Sequence, residues 1–236
     1  MDPYKLLIEI GYKYKLSLTE IKKIDKVIKP IYRHKEFKRR LTDEFLHHSN
    51  ITLGEHILED TVLTYKLCKK YKKEIDIDTV LTISMMHDLY TVQWQNNEDN
   101  KNKRFTNKHG FTHPLEAIIN AINWYPEYFK DIDKARVIVD GVIHHMYPLP
   151  VRVFNPSNNK MELNNYDLIK NIDKDLINLM IESTKRKSKG TLSTSRSKYI
   201  EGRILSKADK KVSVRQIKNI GSAKALITGK NNSLKK

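Results

Sequence analysis

Val80-Leu81-Thr82-Ile83-Ser84-Met85-Met86-His87-Asp88-Leu89-Tyr90 decides how this chain is read. An apolar run ends without a break in a histidine and an aspartate. Burying two such groups costs on the order of several kcal/mol unless each finds a partner. A metal ion is one partner that satisfies both, because neutral imidazole and carboxylate are ordinary ligands. A capped helix end would also produce a lone His-Asp, so the residues around it must decide.

Working outward, the pattern is helical almost throughout. Ser17-Leu18-Thr19-Glu20 has capping-box form and opens an amphipathic stretch to about Ile31, which Pro30 can end. A short helix is expected over 36–47. Thr52-Leu53-Gly54-Glu55 is a second capping box. It opens a helix to about Lys73, with Ile57, Leu58, Val62, Tyr65 and Cys68 spaced for one apolar face. Asp76 or Asp78 caps the helix that runs to Tyr90. Residues 91–112 lose periodicity and read as a long polar loop, a feature that is often functional. Pro114 suits the first turn of another helix, and 131–146 and 165–181 are helical by periodicity. Residues 185–197, rich in Lys, Gly, Ser and Thr, read as a mobile connection before a last helix over 198–217. No repeat, strand series or glycine-rich phosphate loop is present. The expected fold class is all-α. The expected organisation is an N-terminal helical extension over 1–40, one domain over 41–228 with a flexible insertion near 183–197, and a disordered tail over 229–236.

The 236 residues carry 39% hydrophobic side chains, enough for a substantial core. No run approaches the roughly 18 apolar residues of a transmembrane span. The N-terminus lacks the form of a signal peptide, and Cys68 is the single cysteine. These features set the expectation of a cytoplasmic protein that is not membrane-bound. The formal net charge of +16 is concentrated in residues 185–236, which carry 16 Lys or Arg against Glu201 and Asp209. Such a quarter either attracts phosphates and nucleic acid by long-range steering or forms a solvated surface.

Histidines and aspartates fall at the inner faces or ends of separate helices. His56 lies one turn into the helix from Thr52. His113 precedes Pro114, His144 and His145 end an apolar helix, and Asp209 follows Ser206-Lys207-Ala208. Any one could be a satisfied core group. Together they have the arrangement from which helix bundles build metal sites. His34 and His47 belong to no motif and read as surface histidines.

In this order, the residues resemble the HD superfamily of metal-dependent phosphohydrolases. The resemblance covers about residues 45–218. Met86-His87-Asp88-Leu89-Tyr90 is similar to the motif that names the superfamily. His109-Gly110-Phe111-Thr112-His113-Pro114 and His145-Met146-Tyr147-Pro148-Leu149 resemble a bacterial subgroup of small HD proteins. Phe45-Leu46-His47-His48-Ser49-Asn50, with Glu55-His56, resembles the entry to the family's first core helix. Ile204-Leu205-Ser206-Lys207-Ala208-Asp209-Lys210 resembles its closing aspartate motif. The stretch 155–197 is longer than the family pattern, and the first 40 residues match nothing in it.

The resemblance implies one or two divalent metal ions per chain, drawn from Mn, Fe, Mg, Co, Ni or Zn. One would be held by His56, His87, Asp88 and Asp209. A second would share Asp88 and add His113, His144 and His145. Consecutive residues on a helix point about 100° apart, so both histidines of the adjacent pair can join only where the helix ends. Asp88 would be the pivotal catalytic residue, since a carboxylate has lone pairs enough to touch both ions. His48, His109, Lys108, Lys210 and Arg215 are the candidates for binding substrate phosphate. The implied activity is hydrolysis of a phosphate ester or phosphodiester of a nucleotide-like molecule by metal-activated water. Two other classes stay open: a diiron oxygenase on the same fold, and a nucleic-acid-binding protein or nuclease that uses the basic C-terminal region. Residues 91–112 and 147–163 would wall the substrate pocket.

Overall fold

The computed structural model describes residues 1–48, 51–71, 74–91, 108–156 and 166–227, with side chains to residue 217 in the last helix. The architecture is an all-α bundle with one short strand pair and one small three-stranded sheet among the described residues. Helices α1 (Pro3–Lys13), α2 (Leu18–Arg33) and α3 (Lys35–Arg39) precede a short strand pair, β1 (Leu46–His48) with β2 (Ile51–Thr52). Then come α4 (Leu53–Cys68), α5 (Ile77–Met86), α6 (His109–Trp124) and α7 (Ile132–Ile143). Strand β3 (Val151–Arg152) is followed by α8 (Tyr166–Ile169), α9 (Lys174–Lys185), β4 (Ser188–Lys189), β5 (Leu192–Ser193) and α10 (Ile200–Ile227).

The helix starts are those the caps specify. Ser17 with Glu20 and Thr52 with Glu55 form complete capping boxes, and Asp76 caps α5 through the Thr79 amide. The helix from Thr52 ends at Cys68, and α5 ends at Met86 with His87 as its C-cap. The stretch 36–47 is not one helix: α3 stops at Arg39 and the chain turns into β1. The loop expected over 91–112 is shorter at its far end, because α6 starts at His109 and takes Pro114 into its second turn. The span 165–181 divides into α8 and α9, while α10 runs past the expected end at 217. The tail over 229–236 and most of the 91–112 stretch lie outside the described residues.

Two expectations change more substantially. The first 40 residues pack into the same core as the rest: Leu7, Ile21, Ile24, Ile28 and Ile31 are fully buried with Ile57, Ile83 and Ile118. Arg40, also fully buried, donates to the carbonyl of Tyr90 at 2.6 Å and so holds the chain just past His87-Asp88. The connection expected over 183–197 is a hairpin, not an unstructured link. Strands β4 and β5 pair antiparallel through a turn at Gly190, where φ is +60°, and β3 joins the other edge of β5. Buried Asp140 on α7 fastens this segment. Its carboxylate accepts from Ser183 (3.0 Å), Ser197 (2.8 Å), the Lys198 amide (2.7 Å) and Arg186. Arg186 is thereby committed to an internal ion pair.

Helix α5 sits at the centre, against α2, α4, α7 and α10. It is buried from Thr79 to Met86, as its apolar composition requires. The C-terminal ends of α5 and α7 therefore open onto the middle of the bundle, beside inward faces of α4, α6 and α10.

Candidate metal centre

Helix α4 places His56 and Asp60 four residues apart on one face, so their side chains meet: Nε2 of His56 lies 3.0 Å from Asp60 Oδ2. Just past the end of α5, His87 brings its Nε2 to 3.4 Å from the same oxygen. Asp209 reaches in from α10, its Oδ1 3.7 Å from His56 Nε2. These four side chains each offer a ligand atom within 4.8 Å of the others, and all four are buried. Ligand atoms bound at about 2.0–2.2 Å to one ion stand roughly 3.0–3.5 Å from their neighbours in octahedral or tetrahedral geometry. The cluster is close to that spacing.

Asp88 joins this group to a second. Its Oδ2 lies 3.7 Å from both His56 and His87, and its Oδ1 lies 3.4 Å from both His113 on α6 and His145 beyond α7. Asp88, His113 and His145 form a separate buried trio of ligand atoms. The two groups hold six of the seven residues expected to converge, with Asp88 between them.

The ring tautomers can be read from fixed partners. Carbonyl oxygens only accept, so the Nδ1 atoms facing them carry the proton. His87 donates to the Ser84 carbonyl (2.7 Å), His113 to the His109 carbonyl (3.0 Å) and His145 to the Val142 carbonyl (2.7 Å). In each neutral ring this leaves Nε2 as a bare lone pair aimed into the cluster. Asp60 Oδ1, Asp60 Oδ2, His87 Nε2 and Asp88 Oδ1 are buried without a hydrogen-bond partner among the described residues. Three carboxylates, Asp60, Asp88 and Asp209, share this volume at 6% exposure or less. A bound cation is one way to compensate such a concentration of buried negative charge. Without one, protons take the role: burial alone lowers the pKa of His87, but the charges of Asp88 and Asp60 overcome it and raise the ring to about 10. Burial raises the Asp60 carboxyl, against the pull of His56 and His87. The donor set, imidazole nitrogen with carboxylate oxygen, fits a divalent metal ion.

A cavity of about 490 Å³ opens onto this centre. Asp88, His113 and Asp209 form its floor, with Tyr90, Phe111, Met146 and Ile217 among the apolar walls and His47, Lys108 and His109 among the polar ones.

His144 stays outside the centre. As the C-cap of α7 it turns away from His145 and faces Ser183 Oγ (3.1 Å) and Ser195 Oγ (3.2 Å), joining the polar cluster around Asp140. Burial lowers its pKa to about 4. Arg215 also points elsewhere, with its guanidinium 2.6 Å from Glu59 and bonded to the Tyr14 hydroxyl. Lys210 lies over the Tyr147 ring at 5.5 Å. Of the expected phosphate-binding residues, Lys108 and His109 line the cavity. The His48 side chain lies outside the described residues.

Two participants were not expected. Asp60 is a fifth group at the first position. Its signal was the His56 to Asp60 spacing of four inside a helix, obscured by neighbouring Glu55 and Glu59. His47, expected at the surface, is half-buried on β1, with its ring 4.0 Å from that of His56 and its Nδ1 3.0 Å from the Tyr90 hydroxyl. Comparison with protein-family models, with curated proteins and with solved structures gives no match to this chain.

Proposed function

We propose that the chain is a metal-dependent phosphohydrolase of the HD type, acting on a phosphate ester or phosphodiester of a nucleotide-like small molecule. The observation that carries the proposal is the two-sided placement of Asp88, with one oxygen toward His56 and His87 and the other toward His113 and His145. That is the disposition a carboxylate needs to serve two ions. His56, Asp60, His87, Asp88 and Asp209 would hold the first ion, and Asp88, His113 and His145 the second. When bound, such ions lower the pKa of water toward about 7 and withdraw charge from a phosphoryl oxygen. Asp88 and Asp209, on the cavity floor, define where that oxygen arrives. Lys108 and His109 at the rim would face the remaining phosphate charge. Tyr90, Phe111, Met146 and Ile217 would hold an apolar or planar body and exclude water from it. The volume of about 490 Å³ suits a small molecule better than a polymer, as small-molecule sites usually span roughly 300–1,000 Å³.

A metal-by-substrate screen tests the proposal. Protein stripped of metal and reloaded with Mn, Fe, Mg, Co, Ni or Zn is assayed against nucleotides, cyclic dinucleotides and short RNA. Phosphate-ester cleavage with at least one metal is expected. Metal uptake without any cleavage would overturn the hydrolase reading. Oxygen consumption by the iron-loaded protein would then favour the oxygenase. Binding of RNA that weakens steeply with salt would favour the nucleic-acid reading.

A further inference from the structure

Three of the four histidines at the centre have their tautomer fixed by backbone carbonyls. The fourth, His56, does not: its Nδ1 lies 3.0 Å from Gln216 Oε1, a side chain on α10. An amide could present either its oxygen or its nitrogen to a ring. Here the choice is made by Glu59, whose Oε2 accepts from Gln216 Nε2 at 3.0 Å. A carboxylate has no proton to give, so the amide nitrogen must face Glu59 and the oxygen must face His56. His56 Nδ1 is therefore the donor, and in the neutral ring Nε2 is the atom whose lone pair faces Asp60, Asp88 and Asp209.

Glu59 is itself pinned. Its Oε1 lies 2.6 Å from Lys13 Nζ on α1 and 2.6 Å from Arg215 on α10. Two cations on one oxygen leave the other oxygen of the carboxylate to accept from Gln216. Gln216 is 2% exposed and Glu59 6%, so water does not compete at this join.

We propose that Gln216, oriented by Glu59, is a positioning residue that fixes the His56 tautomer so that Nε2 presents a lone pair to the centre. The proposal rests on the metal-centre reading for its purpose, but the tautomer itself is measurable without metal. It gives Arg215 a structural role in place of phosphate binding and, through Lys13, makes α1 part of the support of the centre. Partners behind metal-ligating histidines are worth about 10–100-fold in metal affinity.

The test uses the full chain labelled with ¹⁵N. Long-range ¹H–¹⁵N spectra report the His56 tautomer, with the ring assigned by its loss in His56→Asn. Zinc affinity is measured in parallel, and circular dichroism reports folding. Wild type should show, in the neutral His56 ring and in the absence of metal, protonated Nδ1 with Nε2 unprotonated. Gln216→Met, similar in length but unable to accept, should lose that preference and bind one zinc about 10–100-fold more weakly. The exchange Glu59→Gln with Gln216→Glu keeps a donor and an acceptor in series and should restore both readouts. Gln216→Lys presents a donor to the ring and an ammonium to Glu59, so it should invert the tautomer. It decides the matter should Gln216→Met not fold. An unchanged His56 tautomer in the folded Met or Lys variant would overturn the proposal. Failure of the wild type to take up zinc would instead overturn the metal reading, and the spectra would still decide the role of Gln216.

Discussion

The Nε2 atoms of His113 and His145 stand 3.1 Å apart, and in the neutral rings neither can donate, because each ring spends its Nδ1 proton on a backbone carbonyl. Two lone pairs facing each other, with Asp88 Oδ1 3.4 Å from both, form a place that one metal ion could occupy. The pair marks the second position of the centre as distinct from the first, where His56 and His87 meet Asp60 and Asp209.

Metal stoichiometry should follow that division. Asp88→Ala removes the carboxylate common to both positions, and is expected to lose most bound metal and all hydrolysis. His113→Ala removes a ligand of the second position only, and is expected to retain close to one ion per chain. Elemental analysis beside circular dichroism checks both. If Asp88→Ala keeps its metal and its turnover, Asp88 is not the bridge.

Metal removal should cost stability, because an ion that binds only the folded centre stabilises it by mass action. At free metal about 1,000 times the dissociation constant, the gain is about 4 kcal/mol. For a domain of this size each kcal/mol moves Tm by roughly 2–4 °C. A chelator should therefore lower the wild-type Tm by about 8–16 °C at that saturation. It should leave Asp88→Ala nearly unmoved. Differential scanning calorimetry with and without chelator separates the two, and a wild-type Tm indifferent to chelator would count against a resident ion.

What the sequence disclosed and what it hid divide along physical lines. Apolar runs ending in His87-Asp88 and His144-His145 announced buried helix ends, and the caps at Ser17 and Thr52 announced helix starts. Both are local signals. Asp60 was hidden because periodicity allots one buried face to a helix, whereas α4 is covered by α1, α5 and α10 together. The choice of His145 over His144 depends on where α7 unwinds, which is a matter of tertiary packing. Strands of two residues, such as β4 and β5, carry no period at all. Their order comes from Asp140, some 50 residues earlier. Arg215 looked like a phosphate ligand because its partners, Tyr14 and Glu59, are remote in sequence.

Cys68 gives a check on the interior that is independent of metal. The thiol is 4% exposed, and burial pushes its pKa up to about 12. The reactive form is the thiolate, and an ordinary exposed thiol ionises near about 8.5. A raised value means that the thiolate is scarce at pH 8 and becomes abundant only as pH climbs toward 12. A disulfide reagent at pH 8 should therefore label the native chain far more slowly than free cysteine, and label it fully in denaturant. Rapid stoichiometric labelling of native protein would show that α4 is less enclosed than a 4% exposed thiol implies.

The distance between α7 and α10 is set by two glycines, and that distance governs the centre. A Cβ on Gly202 would fall 2.7 Å from the Gly141 Cα and 2.4 Å from Ser197 Oγ. Asp209 follows Gly202 by two helical turns and so lies on the face that Gly202 presents to α7, while His145 follows just past the end of the helix that carries Gly141. In an exposed helix interior, Gly→Ala gains about 1 kcal/mol. At this crossing the backbone cannot yield without parting the helices, and overpacking of this kind costs typically about 1–3 kcal/mol. Gly202→Ala should therefore lower Tm by several degrees despite the better propensity of alanine. By moving α10 away from α7 it should also carry Asp209 outward and weaken metal binding. A half-buried glycine at the cavity wall, with open space where its Cβ would be, provides the stability control: Gly110→Ala meets no atom within 4 Å, and should leave Tm at or above the wild-type value. Calorimetry and metal titration on the two variants decide it. Equal stability and equal metal affinity in Gly202→Ala would mean that the helix crossing does not set the geometry of the centre.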